Sequence, residues 1–413
     1  MSPVRSSLRT RGFPSLASSY ALNELGDNLG VIALAILVLD RTGSAIAITA
    51  LFLAGKFVPA LLAPILTAAL DRVPVGRVLP ALYVLEAAAF AGLALLAGDF
   101  WLPAILVLSF VDGLLAITAR GLSRGAIAAV LGPAGALRDG NAVINIVFAV
   151  MSVAGPLLAG VIVHEWSVAT ALWADAVSVV AVAALLAASA RSLPAREAGP
   201  RGHWLARVRD GLDYVRDHPT AGRLIAGESV AILFFTVTVP IEVVYVRESL
   251  ESTSVGFGVL LAAWGAGILL GSAIFARARG RSLATLVLVS TAAVGIGYAT
   301  MAAAPTLAVA CVGSVIGGTG NGIQWVAVMT ALQEAVSDDY QARAAGLLES
   351  AAAAVPGIGF ALGGAITAIV DARVAYLVAA FGVAAVVLLW TRKPIVPHHL
   401  TAGSSAASEP GSA

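Results

Sequence analysis

Charge is what this chain has least of. Asp, Glu, Lys and Arg make up 12% of its 413 residues, about half the share found in soluble domains. So few charges cannot coat the surface of one or two soluble domains, and that class is excluded. Cysteine is nearly absent. Cys311 stands alone in an apolar stretch, which rules out an internal disulfide framework and a cysteine zinc site. The five histidines (His164, His203, His218, His398 and His399) lie outside the apolar runs, which argues against histidine chemistry inside a membrane. His-Glu-x-x-His and Gly-x-Ser-x-Gly are missing. So is a phosphate loop: Gly55-Lys56 is followed by Phe57, and position 50 is Ala. A net charge of +1 leaves no dominant basic face for nucleic acid. The chain is therefore read as a non-enzyme, with no catalytic residues, no metal and no bound cofactor.

What is present is apolar. Hydrophobic residues make up 59% of the chain, and the mean hydropathy is +0.92. Apolar stretches fall at 16–39, 44–70, 78–97, 102–119, 141–163, 169–190, 222–246, 254–276, 283–303, 306–331, 343–369 and 373–391. About 20 such residues cross a bilayer as a helix, and helices satisfy their own backbone hydrogen bonds in hydrocarbon. The short alternating strands of a membrane barrel are absent. The first stretch is long and acidic and reads as a retained span, not a cleaved leader. The expected fold is an all-α membrane protein with twelve transmembrane helices in two six-helix bundles. Its parts are an N-terminal segment at 1–15, bundles at 16–190 and 222–391, a linker at 191–221 and a disordered tail at 392–413.

Basic residues give the orientation. With the N-terminus in the cytoplasm, 21 of the 25 Lys and Arg residues fall in cytoplasmic segments, as the positive-inside rule requires. Arg41, Arg247 and Arg373 fall opposite, and Lys56 lies inside span two. Both termini are then cytoplasmic. In the linker, Trp204, Leu205, Val208, Leu212 and Val215 recur at helical spacing among alternating Arg and Asp. This predicts an amphipathic helix on the membrane face; a solvated linker helix is the alternative.

Ionisable residues inside spans are costly and call for a partner or an aqueous cavity. Span one carries Glu24 and Asp27 on one face. Lys56 is expected at similar depth and is the anticipated partner of one of them, either as a coupling pair or as a fixed structural one. Glu86 and Asp112 lie near mid-depth, Glu228 and Glu349 nearer the cytoplasm, Asp175 and Glu242 nearer the outside. Buried carboxyl groups of this kind could carry protons, although helix packing accounts for any single one. Asn321 and Gln324 could bind substrate or bond between helices. Asp71, Arg72, Gly76 and Arg77 follow span two and suit a cytoplasmic gate or a solvated loop. Gly155, Pro156 and Gly160 permit close helix approach and a bend. Pro-Gly and charged features recurring six spans apart suggest two related halves.

Twelve spans, two halves, Asp71-Arg72 with Gly76-Arg77, and Gly155-Pro156-Leu157-Leu158-Ala159-Gly160 resemble the major facilitator superfamily and its antiporter motif. Leu25-Gly26-Asp27, the stretch from Leu137 to Asn141, and the run from Arg209 to Pro219 are similar to the enterobactin-exporter and macrolide-efflux type. Asp112 stands where many drug antiporters carry an arginine. The resemblance implies a secondary active transporter of the bacterial inner membrane. It would work by alternating access as a proton-coupled antiporter, exporting a hydrophobic or amphiphilic small molecule such as a drug. Its implied partners are the substrate, protons and the lipid bilayer, with the proton gradient as energy source and a monomer as the assembly. Transport of a siderophore or lipid-like metabolite, and a non-transporting sensor of the same fold, are the alternatives.

Overall fold

The computed structural model describes residues 12–70, 73–133, 135–190, 218–278, 280–336 and 338–392, together with Thr10, Leu193 and Arg216. Twelve helical segments follow one another: α1 Phe13–Thr42, α2 Ala45–Leu70, α3 Val75–Leu96, α4 Leu102–Leu131, α5 Leu137–Glu165, α6 Val168–Ala188, α7 Pro219–Ser249, α8 Ser254–Arg277, α9 Leu283–Ala303, α10 Leu307–Ala335, α11 in two pieces (Asp338–Ala354 and Pro356–Ile369) and α12 Ala372–Arg392. Eleven of them are long and apolar enough to cross a membrane. The twelfth, α10, is diluted by Gly313, Gly317, Gly318, Gly320 and Gly322, and it packs against α8 and α9. Small residues let helix backbones meet where lipid supplies no hydrophobic drive.

The helix ends follow from local chemistry. Gly43 adopts φ 57° and ends α1, its N–H donating to the Leu39 carbonyl at 2.8 Å. Ser44, Ser167, Thr253 and Thr306 then cap α2, α6, α8 and α10 with side-chain oxygens. Two stretches depart from α geometry: Leu53–Phe57 in α2 and Tyr245–Ser249 in α7 are π-helical. Such bulges recur at functional sites, and the first contains Lys56.

Some helices outlast their apolar stretches. α4 runs to Leu131, not to 119. Arg120 and Arg124, counted among the 21 basic residues of the cytoplasmic segments, are therefore helical. The Ala, Leu and Ile positions around them keep the helix going, and a long arginine can reach a polar partner from within it.

The first six helices pack chiefly on one another, and so do the last six. The main bridges between them are α5 on α8 and α2 on α11. Several of their contacts lie toward the Thr42 end. Phe52 meets Phe360 edge to face with centroids 5.9 Å apart, and Gly364 lies against Thr49. A Cβ at Gly160 would come within 2.6 Å of the Ser254 carbonyl of α8, whereas one at Gly155 would come within 2.7 Å of Asn28 of α1, inside the first half. Pro156 has no N–H for the Ser152 carbonyl four residues back. That carbonyl instead faces Gly265 of α8, where a Cβ would stand 2.6 Å away. The Asp40–Arg247 ion pair, at 3.1 Å, also joins the halves at this end.

Candidate functional site

A cavity of about 150 Å³ opens among α1, α2, α3 and α4. Asp27, Lys56, Asp112 and Arg120 all reach it. The ion pair at its wall is not the one anticipated from depth. Arg120 of α4 pairs with Asp27, and its Nη2 lies 3.5 Å from Glu24 Oε1. No ion pair among the described residues includes Lys56, whose side chain is exposed to the cavity. Lys56 still lies close enough to Glu24 and Asp112 to interact electrostatically.

Local structure on α1 explains the choice. Asp27 and Glu24 lie three residues apart, so one guanidinium can serve both. Asn23 Nδ2 donates to Asp27 at 3.4 Å. Asn28 Nδ2 is taken by the Glu24 carbonyl at 2.6 Å. Both carboxylates are well buried, with side chains 7% and 12% exposed against 32% for Arg120. Charges taken out of water need such a partner to persist.

A second acidic layer lies behind this pair. Glu86 in α3 is fully buried, and neither of its oxygens has a hydrogen-bond partner among the described residues. Asp175 in α6 is also fully buried. It packs against Gly26 and Gly30 of α1, which leave room for it by having no Cβ. Glu86, Asp112 and Asp175 all interact electrostatically with Asp27. Asp175, placed near the outer face from sequence, thus joins the mid-depth set; its signal was the pair of small residues four apart on α1. Arg120 was missed because span four was ended too early.

The other named residues divide between the halves. Asn321 and Gln324 of α10 line a separate cavity of about 280 Å³ in the second half, together with Glu228. Glu349 is exposed on α11. In the first turn of α3, Gly76 packs against Ala190 and Arg77 is exposed. Asp71 and Arg72 lie outside the described residues, as do most of the linker and the tail.

Comparisons with known proteins agree with this architecture. The sequence profile of the Major Facilitator Superfamily matches residues 224–410. Solved structures with the same fold include the nucleoside transporter NupG (14% identity, TM-score 0.69, 92% of this chain and 98% of that one). The POT family transporter PepTSo is similar at 9% identity and a TM-score of 0.73, over 92% and 97% of the two chains. A bacterial homologue of ferroportin in the inward-facing state is similar at 15% identity and 0.71, over 92% and 98%. Comparison with curated protein sequences gives no match. The chain has the fold of the major facilitator transporters.

Proposed function

We propose that this protein is a secondary active transporter that exports a hydrophobic or amphiphilic small molecule in exchange for protons, by alternating access. The fold supports a carrier. The observation that carries the coupling is the buried Asp27–Arg120 pair on the wall of a cavity. A proton arriving on Asp27 cancels its charge and weakens its hold on Arg120, which Glu24 can then retain. Loss of that proton restores the pair. Protonation is thereby linked to how α1 and α4 are tied together inside the first bundle, and it drives rocking of the two bundles to the extent that the two conformations bind that proton with different affinity. Glu86, Asp112 and Lys56 tune the field around the pair. Asn321 and Gln324 supply substrate hydrogen bonds. The Asp71, Arg72, Gly76 and Arg77 segment acts as the cytoplasmic gate, Pro156 and Gly160 set the α5–α8 contact about which the halves move, and Gly155 seats α5 on α1.

In this reading both termini are cytoplasmic and the protein works as a monomer in a bacterial inner membrane. The test is a transport screen in inverted vesicles, with and without a pH gradient. The proposal expects accumulation of an amphiphilic compound that collapses when the gradient is dissipated. A compound that binds yet shows no flux under either condition would favour the sensor of the same fold.

A further inference from the structure

The cavity in the second half has a chemistry of its own. Glu228 of α7 is only 4% exposed and Gln324 of α10 only 5%. Gln324 Nε2 donates to Glu228 Oε2 at 3.1 Å. No ion pair among the described residues includes Glu228. Two hydroxyls also line this space, and both have already spent their protons. Thr236 Oγ1 donates to the Ile232 carbonyl at 2.8 Å, and Thr291 Oγ1 to the Val287 carbonyl at 2.7 Å. They offer the cavity lone pairs only. The remaining wall includes the rings of Phe235 and Trp325.

A carboxylate without a protein cation, acceptor-only hydroxyls and aromatic faces share one preference. An anionic ligand would meet repulsion from Glu228 and find no cation among the lining side chains, only neutral N–H donors such as that of Asn321. A ligand carrying an ammonium group would supply the missing charge and N–H donors, and its apolar body could lie against the rings. We infer that the second-half cavity is a subsite for organic ammonium compounds, with Glu228 as the cation anchor and Gln324 as the residue that positions it. This deepens the transport reading by naming a substrate class, and it places substrate charge recognition apart from the Asp27–Arg120 pair.

The test is calorimetric titration of the full-length protein in detergent, without any gradient. The probes are phenethylammonium and its uncharged isostere 2-phenylethanol. The wild type should bind the ammonium about tenfold or more tightly than the alcohol, because a desolvated charge pair outweighs a neutral contact. Glu228→Gln should abolish that preference and leave alcohol binding within about twofold, since only the charge is removed. Asp27→Asn should keep the preference.

Equal binding of the two probes by the wild type overturns the inference. So does a Glu228→Gln protein that retains the preference, or loss of the preference in Asp27→Asn instead. If Glu228→Gln does not yield folded protein, Gln324→Ala serves in its place. It should lower the ammonium-to-alcohol affinity ratio several-fold, and an unchanged ratio counts against the subsite. No flux enters this measurement, so failure of transport and failure of the subsite are separate results.

Discussion

At the scale of residues, the account turns on which cation holds Asp27. Depth along the spans favours Lys56, and a reading that counts residues from helix ends has no better guide. The structure favours Arg120, one guanidinium within reach of two carboxylates on the same face of α1. The two cations should therefore behave differently when removed. Arg120→Met leaves two buried carboxylates unpaired, and a loss of about 2–4 kcal/mol follows from breaking such a pair, reduced for its partial exposure. Lys56→Met breaks no ion pair and should stay within about 0.5 kcal/mol of the wild type. Thermal unfolding in detergent checks the contrast; equal losses would contradict the assignment. The scarcity of charge did point to Asp27, Lys56 and Asp112, which line one cavity, and to Glu24, which lies 3.5 Å from Arg120 on its wall. Arg120 stayed hidden because an arginine at the end of an apolar run looks like a loop residue. Only the continued helix, out to Leu131, shows otherwise.

At the scale of elements, hydropathy found twelve segments because the bilayer fixes their length. Where it strained was α10, whose glycines lower its apolarity while letting it pack tightly, and α11, divided before Pro356. The π-helical turn that holds Lys56 had no signal in the sequence, since nothing in Leu53-Ala-Gly-Lys-Phe57 demands one extra residue per turn. The small residues of α5 were legible, but their partners were not. Gly160 meets Ser254 and Gly258 of α8, and the carbonyl freed by Pro156 meets Gly265. Gly160→Leu should force α5 and α8 apart, at a cost of about 1–3 kcal/mol for overpacking. Spin labels at Ser44 and Glu251 should report a longer distance at the Thr42 end; an unchanged distribution would show that this contact does not hold the halves together.

At the scale of the molecule, the three arginines assigned to the sparse side are all in use at one end. Arg41 donates to the Ala97 carbonyl at 3.0 Å. Arg373 donates to the carbonyls of Ser249, Ala302 and Ala304. Arg247 reaches across to Asp40. The first two tie helices within a half, while the third joins the halves. As an exposed pair, Asp40–Arg247 is worth about 0–1 kcal/mol. In a balance between two conformations, that still shifts populations by up to about fivefold. Asp40→Asn should lower the closed fraction at this end, and exchanging the two charges (Asp40→Arg with Arg247→Asp) should restore it, as read by the same spin-label pair.

The central claim is that the Asp27–Arg120 pair couples proton movement to transport. The direct measurement compares wild type and Asp27→Asn in reconstituted vesicles, following gradient-driven accumulation and gradient-free exchange of the same compound. The account predicts that Asp27→Asn still exchanges but no longer accumulates. Accumulation at the wild-type level in Asp27→Asn would contradict it.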